Sequence, residues 1–164
     1  MRHCFKLIIP LLCLFGMSSC DGTTFQSSVP ALPVNIIIDT RGLFVHFIET
    51  SLNSYITVDA EGYYENGKLV KPTGAMDAWG YGGVVVYVSM AGYVAYDLAC
   101  PYCAGRGRKS PCFINTPFAE CPHCGEQYDL GSGYAIPQQG ISKEALRKLA
   151  IMNFDGKLTI TQQP

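Results

Sequence analysis

Four of the eight cysteines fall in two Cys-x-x-Cys units, Cys100-Pro101-Tyr102-Cys103 and Cys121-Pro122-His123-Cys124, separated by residues 104–120. A tight turn at this spacing aims both sulfurs at one point. The seventeen intervening residues fall within the range of about 15–20 that joins two such units around one zinc ion. Gly125 directly follows the last cysteine and permits the left-handed backbone that turns amide N–H groups toward a thiolate. In an oxidising compartment the same four cysteines can instead form two disulfides in any of three connectivities, with Cys112 left over. Both readings stay open at this level.

The beginning of the chain bears on the compartment. Arg2 and Lys6 form a basic head, and residues 7–15 are an apolar run too short for a permanent membrane span, the pattern of a signal peptide over residues 1–19. The stretch Gly16-Met17-Ser18-Ser19-Cys20 resembles the lipobox of bacterial lipoproteins, with Met17 and Ser19 in place of the usual Leu and Gly or Ala. The resemblance implies that Cys20 is lipidated and becomes the mature N-terminus, holding the protein to a bacterial membrane on its exported side, periplasmic or outer surface. Acyl chains contribute about 0.8 kcal/mol per buried methylene. An ordinary secretory signal cut near the same place is the alternative, and export survives it. Residues 20–32, rich in Ser, Thr and Gly, suit a flexible tether, with one folded domain over 33–164.

Glycine at 17, proline at 10 and tyrosine at 10 favour short strands and many turns, and the 48% hydrophobic, 15% charged composition suits a folded core. Strands are expected at 34–39 and 43–48. Hairpins are expected at 63–70 around Asn66-Gly67, at 84–97, at 127–136 around Gly131-Ser132-Gly133, and at 151–161 around Asp155-Gly156. Ser142 is placed to cap one short helix running to Ala150, with Glu144 early and Arg147 and Lys148 late. Residues 104–117 read as a loop between the cysteine pairs. The fold class is therefore mainly β, an antiparallel sandwich with two cysteine-bearing loops, a cysteine-loop subdomain at about 98–137 and one short helix.

The order hairpin, cysteine loop, cysteine loop, hairpin resembles a Rieske iron–sulfur domain over roughly residues 78–160. The second box of that family has Cys, two residues, His and Gly, and here Cys124 stands at the histidine position of Cys121-Pro122-His123-Cys124-Gly125. In the first box Tyr102 stands where a histidine belongs, with Cys103 beside it. Glu126 occupies the place of a frequent serine, and Tyr128 matches an aromatic position that in some members bonds a cysteine sulfur. The opening Pro33-Val34-Asn35-Ile36 and the lead Gly80-Tyr81-Gly82-Gly83 are similar to Rieske-like lipoproteins of Bacteroidetes. The resemblance implies a [2Fe–2S] cluster held by Cys100, Cys103, Cys121 and Cys124 with Tyr128 in its environment, and electron transfer or redox sensing with a redox protein partner. With cysteine for histidine, the potential would fall toward about −400 mV.

Two other functions fit the same residues: a structural zinc site in a binding or assembly domain, and a metal-free, disulfide-stapled module. His123 reads as solvent-facing, His46 as a strand histidine, and Arg106, Arg108 and Lys109 as a small basic tip, either a solvated loop or a dock for an acidic redox partner. Twelve basic against thirteen acidic residues give no field for a nucleic-acid partner. No nucleophile–base pair or phosphate loop emerges, so no enzyme activity is expected.

Overall fold

The computed structural model describes residues 27–39 and 51–163. The signal segment, Cys20, the first part of the tether and the expected strand at 43–48 with His46 lie outside the described residues. Among the described residues no helix is long and apolar enough to cross a membrane.

The protein is mainly β, with every strand pairing antiparallel in three sheets. In chain order the strands are β1 (Val34–Asp39), β2 (Tyr55–Val58), β3 (Gly62–Glu65), β4 (Lys68–Pro72), β5 (Ala78–Trp79), β6 (Val84–Ser89) and β7 (Gly92–Asp97). The single helical turn α1 (Pro101–Ala104) follows, then β8 (Phe113–Asn115), β9 (Phe118–Glu120), β10 (Gln127–Asp129), β11 (Ile136–Gln139), β12 (Ala150–Phe154) and β13 (Lys157–Thr161). The sheets run β12-β13-β1-β5, β4-β3-β2-β6-β7 and β11-β10-β9-β8.

The near-continuous apolar run of β6 follows from its place between two cores. Val84 and Val86 face a cluster with Ile36, Ile38, Leu158 and Ile160, whereas Val85 and Tyr87 face a second cluster with the buried cysteines. Alternation of period two thus sends successive side chains into different layers, both dry. The five-stranded sheet is the middle layer. β1 has water on one side only, so Ile36 and Ile38 are buried and Asn35 and Ile37 exposed.

The hairpins at Asn66-Gly67 and Asp155-Gly156 form with φ positive at all four residues (49°, 81°, 46° and 70°), as a type I′ turn demands. The hairpin after Cys124 also forms, but its second strand starts at Ile136, because Gly133 and Ala135 both take positive φ before pairing resumes. The stretch 104–117 is not all loop: β8 pairs with β9 there.

The helix expected from Ser142 does not form, and among the described residues the short helix is α1 instead. Leu146 is buried with the cysteines while Leu149 is buried in the opposite core. Residues three apart on a helix share one face and cannot serve two layers. The segment is extended along β7: Asp97 N–H donates to Arg147 O at 2.9 Å, and Leu149 N–H to Ala95 O at 2.9 Å. The Ser142 hydroxyl is spent on a local turn with Glu144.

The described end of the tether is docked rather than loose. Val29 is 1% exposed, Arg147 donates to Val29 O at 2.7 Å, and Ser27 Oγ donates to Glu144 Oε1 at 2.8 Å.

Candidate metal centre

β7 delivers the chain to Cys100 through a buried acid. The Asp97 carboxylate accepts N–H groups from Tyr81 (2.6 Å), Gly82 (2.8 Å) and Ala99 (2.9 Å), fastening the glycine-rich lead to the first cysteine loop. Burial raises its pKa, and these three hydrogen bonds, with the nearby Arg147 charge, oppose that rise. Gly82 is needed here because a Cβ would lie 2.2 Å from Ala99 N.

Cys100 is the N-cap of α1 and Cys103 lies within it, while Pro101 occupies the first turn and needs no N–H partner there. Cys103 O accepts N–H groups from Arg106 and Arg108, both at 3.0 Å, so the turn closes on itself. A short antiparallel pairing then brings the chain back, with Cys100 N–H donating to Ser110 O at 3.0 Å and Cys112 N–H to Leu98 O at 2.8 Å. The second loop closes through Gly125, with φ at 75°, whose N–H donates to Cys121 O at 3.0 Å. Cys121 N–H in turn donates to Glu126 O at 2.9 Å.

These turns bring together all four cysteines singled out in the sequence. Their Sγ atoms lie within 4.8 Å of one another, with Cys100, Cys103 and Cys121 buried and Cys124 half-buried. The nearest cross-loop pairs are Cys100 with Cys124 at 3.6 Å and Cys103 with Cys121 at 3.7 Å. These distances are far beyond the bonded separation of about 2.05 Å, and the five cysteines 100, 103, 112, 121 and 124 are unbridged. Four soft sulfur donors converging on one buried point form a cluster that can hold a metal ion.

The surroundings complete the centre. The Tyr128 hydroxyl, on β10, lies 3.3 Å from Cys100 Sγ, and Ser110 Oγ lies 3.3 Å from Cys121 Sγ. Cys112, 4% exposed, hydrogen-bonds Cys100, and this contact is the largest influence pulling the Cys100 thiol down to about 4 against the cost of burial. Burial pushes Cys103 up to about 11 and raises Cys124. The hydrogen bond to Cys100 raises Cys112, with burial adding to it. Without a cation, burial thus works against a thiolate at Cys103 and Cys124. A divalent ion is what lets further thiolates form in so small a space.

Other residues fall outside the centre. His123 is exposed between its cysteines, and Arg106, Arg108 and Lys109 are exposed on the loop beyond α1. Glu126 does not turn its side chain to the sulfurs. Its buried carboxylate accepts the N–H groups of Ile141 (2.5 Å) and Ser142 (2.9 Å), while its own backbone N–H serves Cys124.

Ser110 and Asp97 were not anticipated. Ser110 is eleven positions from Cys121 and carries no local signal. Asp97, an acid at the end of an apolar strand three residues before Cys100, was the available clue to a buried clasp.

Compared with known proteins, the chain matches no family model and no curated protein. Fold and site together define it as a mainly β protein with a four-cysteine cluster suited to a metal.

Proposed function

We propose that the chain is an exported envelope lipoprotein whose cysteine loops are locked by one zinc ion, a structural centre in a binding or assembly module. The mutual sulfur spacing carries this reading. Zinc–sulfur bonds of about 2.3 Å put the sulfurs of a tetrahedron about 3.8 Å apart. Two cross-loop pairs stand at 3.6 and 3.7 Å, and no pair exceeds 4.8 Å. A two-iron cluster would place one thiolate pair on each iron and hold the pairs apart by a further metal–metal separation. The basic head, apolar run and Cys20 supply the argument for export and anchoring.

A second reading has one observation in its favour. The Tyr128 hydroxyl lies 3.3 Å from Cys100 Sγ, where the Rieske resemblance puts an aromatic hydroxyl on a cluster cysteine. In that reading the four cysteines hold a [2Fe–2S] group that supplies one-electron chemistry to a redox partner.

Metal and acid-labile sulfide analysis of protein purified without oxygen separates the readings. One zinc per chain, no sulfide and no visible colour are expected. Equal iron and sulfide with a coloured protein would favour the cluster, and a metal-free protein without titratable thiols would favour disulfides.

A further inference from the structure

Behind the cysteine centre lies a groove of about 1080 Å³. Its floor is Pro101, Tyr102 and Arg106, one wall is the docked stretch of tether from Ser27 to Ala31, and the other is the segment 141–148. The walls are joined at one end, where Glu144 accepts from Ser27 Oγ and Ser28 N–H and Arg147 donates to Val29 O. Glu144, the only acid in the lining among the described residues, is thereby engaged.

The cations left over point one way. Arg106 stacks its guanidinium 3.6 Å above the Tyr102 ring centroid and donates to Tyr102 O at 3.1 Å, which fixes the planar fork in place. Lys143 and Lys148 line the facing wall. No carboxylate partner is recorded for Arg106, Lys143 or Lys148 among the described residues. A chain of net charge −1 thus gathers three cations along one groove, with Lys148 Nζ also 5.8 Å from the Tyr134 ring centroid. A pre-ordered guanidinium loses little entropy on pairing and matches a carboxylate bidentately. At about 1080 Å³ the groove lies at the upper end of ordinary small-ligand pockets, about 300–1000 Å³, with room for a short chain segment.

We propose that this groove binds an extended acidic polypeptide segment, one carboxylate seated on the Arg106 guanidinium and neighbouring ones on Lys143 and Lys148. The site stands on the groove's own charges and does not depend on which metal the cysteines take. It shares Arg106 with the basic tip and adds Lys143 and Lys148 from the segment on the facing wall.

The test is fluorescence anisotropy of a labelled, N-acetylated alternating Glu–Ala octapeptide with the metal-loaded full chain in mild detergent, against a Lys–Ala octapeptide. The acidic peptide should bind, with affinity falling about tenfold between about 50 and about 300 mM salt. Arg106→Ala combined with Lys143→Ala should weaken it about tenfold while metal content stays unchanged. Free glutamate matched in carboxylate concentration should compete poorly. The proposal is overturned by absence of binding, by equal binding of the lysine peptide, by affinity indifferent to the double substitution, or by free glutamate displacing the peptide as well as an unlabelled copy does. Loss of metal from wild type would count against the zinc reading, whereas loss of peptide binding with metal retained counts against the groove alone.

Discussion

The two cores on either side of the middle sheet are built on different principles. The first gathers Val34, Ile36, Ile38, Val84, Val86, Leu158, Ile160 and their neighbours, nearly all aliphatic, on strands as long as six residues. The second gathers Cys100, Cys103, Cys112, Cys121, Tyr87, Tyr96 and Tyr128, and its own strands β8, β9 and β10 have three residues each. Strands that short make few ladder hydrogen bonds and bury little apolar area. The sandwich side holds itself by burial, whereas the cysteine side, which also buries Val85, Val94, Leu98, Leu130 and Leu146, brings four sulfurs together where a metal can cross-link its loops. A buried cluster of thiols without a cation is a collection of weak donors. With a cation it fastens two loops that are distant in the chain.

The sharpest way to break this contrast is to remove a ligand. Cys103→Ser should abolish tight metal binding, since structural zinc is worth about 10–16 kcal/mol in apparent binding energy. Hydrogen exchange should then show protection lost over β8, β9 and β10 but retained in β1 and β13. Loss of protection in all three sheets together would mean that the two cores are one cooperative unit. The converse substitution, Ile160→Ala at a fully buried position, should cost about 2–5 kcal/mol of global stability. Denaturation of the metal-loaded protein should record that loss with stoichiometry unchanged.

A pH series separates the two states of the cysteine side. In the metal-free protein burial holds the Cys103 thiol up near 11. Its contribution to stability is therefore complete below the unfolded thiol value of about 8.5 and disappears as pH rises through about 11. In the loaded protein, protons compete with metal, so stability should fall on acidification. In acid both forms lose stability, because the metal-free Cys100 thiol is itself held down near 4. Thermal melts should therefore part on the alkaline side, where only the metal-free form loses stability between about 8.5 and about 11, and the same alkaline loss in both forms would remove the metal from the account. The smallest expected effect is Tyr128→Phe, which keeps the ring in its core but removes the hydroxyl 3.3 Å from Cys100 Sγ. It should weaken metal retention by about 1 kcal/mol, read by chelator competition, and leave β1 and β13 protection untouched.

Legibility in the sequence followed the range of the interactions. The Asn66-Gly67 and Asp155-Gly156 hairpins, β1 and the β6–β7 pair rest on local turn chemistry and period-two alternation, and they form where those signals lie. The four-cysteine cluster was legible because each Cys-x-x-Cys turn is local and only their meeting is long-range. The segment after Ser142 misled because a capping serine, an early acid and late bases are helix signals, whereas Leu146 and Leu149 answer to two cores that the local pattern does not contain. The three-residue strands β8 and β9 were too short to show a period. The Asp97 clasp joins residues 15 and 16 apart, which no motif announces.

X-ray absorption at the metal edge of the anaerobically purified full chain tests the central claim most directly. A single shell of four sulfurs at about 2.3 Å, with no metal–metal scattering, is the predicted result. A metal–metal vector, or nitrogen and oxygen in the first shell, would contradict a lone ion held by Cys100, Cys103, Cys121 and Cys124.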